Sequence, residues 1–276
     1  LRGGGSLVNG ELKSGLWRSH DGGQSWKLVT SEIDFDGRDP TTLFGEIMMF
    51  CPQDPNLVVA SGEAKGLFIS RDAGETWTSA GLIGERITSM AFSPVPDQGT
   101  NAPILVVGTF DDSEFKTLDL GKPVTQTDAP GRIYWVAIPG DVTTVKTSKV
   151  CELKDFGITN MVFDTERNFV NFATTRGVYY TWVHCAIYAK RMVGTSSDRL
   201  FTAIGARPFD KWSKLTCAAP FSGAEQSPVY FTNQRSRNWS VLSAKTQGEG
   251  GRDDLRLNTG ISCVLPDKDD QKTLYL

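Results

Sequence analysis

Ser19-His20-Asp21-Gly22-Gly23-Gln24-Ser25-Trp26 and Ser70-Arg71-Asp72-Ala73-Gly74-Glu75-Thr76-Trp77 are two versions of one octapeptide, S-x-D-x-G-x-[ST]-W, set 51 positions apart. A worn third copy, Thr232-Asn233-Gln234-Arg235-Ser236-Arg237-Asn238-Trp239, keeps the first hydroxyl and the final Trp but loses the Asp and Gly. It follows the second copy by 162 positions, about three repeat lengths, and self-similarity at such a spacing signals a repeat architecture. A short apolar stretch precedes each good copy: Gly15-Leu16-Trp17-Arg18 and Gly66-Leu67-Phe68-Ile69. Asp bonds nearby backbone amides and Gly accepts positive φ, so the octapeptide reads as a hairpin turn. The Trp then opens the next strand and is expected to be a buried anchor on the hairpin. On this reading Ser19, Asp21, Gly23, Trp26, Ser70, Asp72, Gly74 and Trp77 are structural.

The remaining strands recur in the same order. Ile47-Met48-Met49-Phe50, a Pro52-to-Pro55 turn and Leu57-Val58-Val59-Ala60 make one pair. Ile87 to Phe92 with Ile104 to Gly108, and Ile158 to Phe163 with Phe169 to Ala173, repeat it, as do Ile261 to Leu265 with Thr273 to Leu276. These are β runs divided by turn residues, and no 3.6-residue periodicity competes with them. Third strands are expected to begin at Gly15, Gly66, Gly131, Gly177 and Pro228, which gives five sheets. The stretch 198–219 supplies the first two strands of the fifth.

The octapeptide resembles the Asp-box, or BNR, repeat of β-propellers, a family that includes sialidases, xyloglucanases and sortilin-type receptor domains. The resemblance implies an all-β fold: a single domain over residues 1–276, a five-bladed propeller with Asp-box hairpins. The chain ends on a second strand, while residues 15–29 supply a third and fourth. Closure is therefore expected between the N- and C-terminal strands, with Leu274-Tyr275-Leu276 in the same sheet as Gly15 to Ser19, so that no radial edge stays open. The competing expectation is a fragment of a larger propeller, since the chain starts Leu1-Arg2-Gly3 without an initiator Met. The family favours a secreted location or the lumen of an organelle or the periplasm.

Composition bounds the rest. Hydrophobic residues make up 39% and charged residues 22%, with a net charge of -3, as in a folded globular chain. Without a basic block nothing points to nucleic acid, and no apolar run is long enough for a membrane span. Five Cys with no CxxC, and two His far apart, do not suggest zinc.

In a propeller the loops entering first strands and those joining second to third strands emerge on one face. That face is expected to collect Asp34, Asp36, Arg38, Glu63, Glu85, Arg86, Asp111, Asp112, Asp155 and Arg176 as a ligand or partner surface. Within it Asp34, Asp36 and Asp39 crowd one Gly-containing loop and read alternatively as Ca²⁺ ligands or as a solvated connection. Two function classes follow. One is a non-catalytic recognition or assembly module that binds a protein or glycan partner through this face. The other is a secreted glycoside hydrolase or sialidase-like enzyme, which needs two carboxylates about 5 Å or 6.5–9.5 Å apart. The sialidase resemblance implies an Arg-Ile-Pro element, but here Arg132-Ile133 is followed by Tyr134. The xyloglucanases of the family are far longer than this chain.

Overall fold

The structure is a computed structural model. It describes residues 1–33, 45, 47–62, 65–110, 130–153, 156–164, 169–182, 190–191, 200–206, 215–220, 227–233, 240–241, 256–257, 264–266 and 274–275. The first sheet holds β1 (Arg2–Val8), β2 (Glu11–Arg18) and β3 (Lys27–Thr30), in that order. The second holds β4 (Met48–Cys51), β5 (Asp54–Gly62), β6 (Gly66–Ser70) and β7 (Thr78–Ser79). The third holds β8 (Ile87–Phe92), β9 (Ile104–Thr109), β10 (Gly131–Ala137) and β11 (Lys146–Leu153). The fourth holds β12 (Ile158–Asp164), β13 (Phe169–Thr174), β14 (Gly177–Trp182) and β15 (Lys190–Arg191).

The fifth sheet holds β16 (Phe201–Ala206) and β17 (Leu215–Pro220), then, past the short β18 (Ser227–Pro228), β19 (Tyr230–Asn233) and β20 (Ser240–Val241). β18 pairs instead with β21 (Arg256–Leu257), and β22 (Leu265–Pro266) with β23 (Leu274–Tyr275). All pairs are antiparallel, and the first four sheets are simple meanders. The one helical turn among the described residues is a 3₁₀ turn at Val142–Thr144, capped by Asp141.

Each junction between successive sheets has its own apolar cluster. Met90, Phe92, Leu105, Val107 and Val136 face the second sheet, alongside Leu57, Val59, Leu67 and Ile69. Ala91, Val106 and Ile133, one position over on the same strands, face the fourth sheet with Ile158, Met161 and Phe172. Alternate residues of one strand therefore bury on opposite sides. This explains why the inner strands read as continuous apolar runs rather than as apolar–polar alternation. At Gly108 an added Cβ would meet Met161 and Ile158 at 2.5 and 2.7 Å, so the third and fourth sheets approach as closely as they do only because that position is glycine.

Inner strands are also tied by polar side chains. Thr88 Oγ1 donates to the carbonyl of Ile158, Thr159 Oγ1 donates to that of Phe201, and Asn160 Nδ2 donates to that of Thr202 at 3.2 Å. The Gly45 amide donates to the Thr159 carbonyl at 2.7 Å. These bonds gather the starts of β8, β12 and β16, and the approach to β4, at one end of the sheets.

Two expectations are corrected. The strand beside β2 is not the C-terminal one. β1 pairs along the whole of it, from Arg2 opposite Trp17 to Val8 opposite Glu11, and β3 takes the other edge. Leu274 pairs with Pro266, as the repeat predicts, but the two strands form a sheet of their own. Three successive glycines hid a strand whose register is set by the tight Asn9-Gly10 turn. The second correction is Trp26, which is 39% exposed rather than a buried anchor. The first sheet covers the octapeptide turn of the second: Leu1 packs against Gly74, and Arg18 reaches Glu75 at 2.7 Å. Among the described residues no sheet stands before the first to cover Trp26 in the same way.

Candidate functional site

The two octapeptide turns have the same bonding. Ser19 Oγ donates to Asp21 Oδ1 at 2.7 Å and accepts from the Gly23 amide at 2.8 Å. Asp21 accepts from the Ser25 amide and hydroxyl at 2.9 and 2.5 Å, and the Trp26 indole donates to the Gly23 carbonyl at 3.0 Å. In the second copy Ser70 Oγ donates to Asp72 at 2.7 Å and accepts from Gly74 at 2.7 Å. Asp72 accepts from Thr76 at 2.9 and 2.6 Å, and Trp77 donates to Gly74 at 3.2 Å. The Ser25 hydroxyl and amide, with the Ser19 hydroxyl, hold the Asp21 carboxyl well below the usual carboxylate range. For Asp72 burial pushes upward, but the Thr76 and Ser70 hydrogen bonds outweigh it and the net shift is downward. Both carboxylates are thus committed to their own turns.

A second polar cluster lies where the chain enters β8. Arg132 Nη1 donates to both oxygens of Glu85 at 3.2 and 3.1 Å, and the Tyr134 hydroxyl donates to Glu85 Oε1 at 2.7 Å. Arg132 and Tyr134, two apart on β10, share one face of the strand. Farther out, Arg132 Nε lies 4.0 Å from Glu152, which accepts from Lys149 Nζ at 2.7 Å. Burial raises the Tyr134 phenol well above its usual value, and its bond to Glu85 adds to the rise. Burial works against the Arg132 charge, but Glu85 more than restores it. Tyr134 is thereby kept as a neutral donor and Glu85 as a clamped acceptor. The cluster pins the connection into β8 onto an outer strand of the same sheet, which fixes the approach of Arg86, itself 9% exposed.

The expected ligand face is the end at which β8, β12 and β16 begin. Arg86 precedes β8 there, and its carbonyl accepts from the Phe110 amide at 3.1 Å. On the next sheet Arg176 sits between paired Thr174 and Gly177, at the same end. Phe110 is fully buried against Gly157, where any Cβ would overlap its ring. Phe156 stacks on Tyr179 with centroids 4.6 Å apart. Glu85, Arg86 and Arg176 therefore belong to one end by topology, and Glu85 is bound to Arg132 and Tyr134. Asp34, Asp36, Arg38, Asp39, Glu63, Asp111, Asp112 and Asp155, including the three read as Ca²⁺ ligands, lie outside the described residues. Among the described residues no group of three or more His, Cys, Asp or Glu is placed to hold a metal ion. No helix among them is long and apolar enough to cross a membrane.

The sequence reading singled out Glu85 but not its partners. In sequence, Arg132-Ile133-Tyr134 reads as the opening of a third strand and as a departure from the Arg-Ile-Pro element. Its alternation, two polar residues flanking an apolar one on a strand, was the available signal.

The sequence matches no protein-family model and no curated protein. The fold is similar to solved structures. One is a GH74 enzyme of Niastella koreensis, at TM-score 0.58 and 16% identity over 82% of this chain and 33% of that one. Another is the GH74 xyloglucanase of Xanthomonas campestris, at TM-score 0.52 and 13% identity over 77% of this chain and 32% of that one. The chain spans about a third of the length of each. The likeness shows the fold: an all-β chain of four-stranded antiparallel sheets, similar to β-propeller structures.

Proposed function

We propose that the chain is a non-catalytic recognition or assembly propeller that binds a protein or glycan partner through the face at which β4, β8, β12 and β16 begin. One observation carries this reading. The two widest separations between consecutive described strands, β3 to β4 and β9 to β10, both fall at this end, while the strand starts there are locked to one another by the Thr88 and Thr159 hydroxyl bonds. Connecting segments on a rigid base are the arrangement that recognition uses. The opposite end carries the octapeptide turns, whose carboxylates are occupied by their own backbone. In finer detail the reading is a five-bladed ring of Asp-box hairpins, with β22–β23 beside β16 and β17 leading the chain back toward the N-terminal sheet.

The test screens the folded chain on a glycan array and, in parallel, for release of reducing sugar from xyloglucan and arabinan and of sialic acid from sialyl-lactose. Saturable capture without turnover is expected. It should be weakened at least tenfold by Asp111→Lys with Asp112→Lys, or by Arg176→Glu, each with unchanged melting temperature. Turnover that a single carboxylate-to-amide change abolishes would replace this reading with a hydrolase. Capture that survives these changes but is lost on altering the turn at Pro52 would move the surface to the opposite end.

A further inference from the structure

Asn9-Gly10 is the single Asn-Gly pair in the sequence. It forms the whole connection between β1 and β2. Val8 and Glu11 pair across the ladder, and Asn9 and Gly10 take left-handed φ values of 53° and 85°, the pattern of a type I′ hairpin. Both residues are exposed. Among the described strands β1 is an edge whose ladder partner is β2. An exposed two-residue turn on a strand with one described ladder partner opens locally more readily than the buried inner strands.

We propose that Asn9 is a site of spontaneous deamidation and isoaspartate formation, and that this modification unlatches β1. Gly10 has no Cβ to hinder its nitrogen, and the turn lies outside the paired residues. When the hairpin opens, the Gly10 amide gives its proton to solvent base and its nitrogen bonds to Asn9 Cγ. The bond from Cγ to the side-chain nitrogen breaks, and ammonia leaves after taking up a proton. Water then opens the cyclic imide. Cleavage at Cγ leaves an ordinary aspartate, and cleavage at the α-carbonyl leaves isoaspartate, whose main chain is one carbon longer. Nothing is oxidised or reduced. A longer chain does not fit a two-residue turn that fixes seven paired positions, from Arg2 opposite Trp17 to Val8 opposite Glu11. Loss of that register frees Leu1 from Gly74 and from the cluster that holds Trp77. The modification therefore reaches the second octapeptide turn from the first sheet.

The test incubates the full chain in mildly acidic and mildly alkaline buffer and maps its peptides by mass. A gain of about 1 Da, an amide nitrogen exchanged for oxygen, is expected at Asn9 before any other asparagine, and faster in alkali. An isoaspartyl methyltransferase with labelled S-adenosylmethionine should transfer methyl to the aged chain. In the similarly aged Asn9→Gly variant, whose glycine keeps the left-handed turn, the label that mapped to the 9–10 peptide should vanish, while any label at Asp21-Gly22 and Asp36-Gly37, which also isomerise, stays. Hydrogen exchange across β1 and Trp77 fluorescence should change in the modified fraction only. Slower modification at Asn9 than at another asparagine would overturn the site. Unchanged exchange in a fully modified chain would overturn the unlatching.

Discussion

The two octapeptide turns have the same internal bonds and different surroundings. In the first, every residue from Asp21 to Trp26 is exposed. In the second, Gly74 is buried beneath Leu1, Trp77 is half-buried, and Arg71 donates to Asp54 and to the carbonyls of Ile138 and Pro139, just past β10 of the third sheet. The hydrogen-bonding pattern follows from eight residues in sequence. The stability it contributes depends on which sheet lies against it, as expected of a repeat architecture in which each unit contacts its neighbours.

The largest separation is expected at the two tryptophans. Full deletion of a buried aromatic costs about 3–5 kcal/mol. Half-buried Trp77 packs in the cluster with Leu16, Ile33, Ala60 and Phe68, so Trp77→Ala should cost about 2–3 kcal/mol. Trp26→Ala should cost less than about 1 kcal/mol, in the range of surface changes. Urea denaturation of both variants measures this. Equal losses would mean that the ring's bond to the glycine carbonyl, rather than burial, holds each turn.

The aspartates come next. Asp72→Ala leaves the Thr76 amide and hydroxyl without their acceptor and should cost about 1–2 kcal/mol, in line with lost caps and charged hydrogen bonds. Asp21→Ala should cost less, because water replaces the lost acceptor. The pH dependence has a fixed sign. Both folded-state pKa values are depressed, so the stabilisation is complete above the ordinary value of 3.8 and is lost as pH falls below it. Acid titration of the two variants should flatten this loss relative to the parent. Cys151 has the opposite sign: burial, then Glu152, pushes its thiol from 9.0 up to about 11, so its contribution is lost as pH rises through that interval. A Cys151→Ser chain titrated in alkali should lack that phase.

What the sequence conveyed and what it missed follow the same division between local and neighbouring effects. Turns were readable because their cause is local: the Asp, Gly and hydroxyl positions of the octapeptide state their own hydrogen bonds. Inner strands were readable because burial on both faces leaves uninterrupted apolar runs such as Ile104 to Val107. Trp26 was misjudged because its exposure depends on a covering sheet rather than on its octapeptide. β1 was missed because Gly3-Gly4-Gly5 carries no strand propensity, and only its pairing with β2 makes it a strand. Of the candidate face, Glu85 was visible as an acid near a strand start. Its clamp was not, because Arg132 lies 47 positions away and meets it only through the packing of β10 beside the entry to β8.

The smallest expected effect isolates backbone from surroundings. The fourth octapeptide position is Gly22 in one turn and Ala73 in the other, at φ 72° and 55°. An L-residue held in the left-handed region carries a strain of about 1 kcal/mol, while glycine instead loses about 0.5–1 kcal/mol through the freedom of the unfolded chain. The two nearly cancel, so Ala73→Gly should change stability by a few tenths of a kcal/mol at most. An added Cβ at Gly22 meets nothing within 4 Å, so Gly22→Ala tests the same balance with no packing contribution and should be as small. Ala73 also donates its amide to the Asn56 carbonyl at 2.9 Å, a bond that both side chains permit. If Ala73→Gly instead gained or lost more than about 1 kcal/mol, beyond what the backbone balance allows, the methyl group itself would be engaged. The second turn would then differ from the first in its own backbone as well as in its covering.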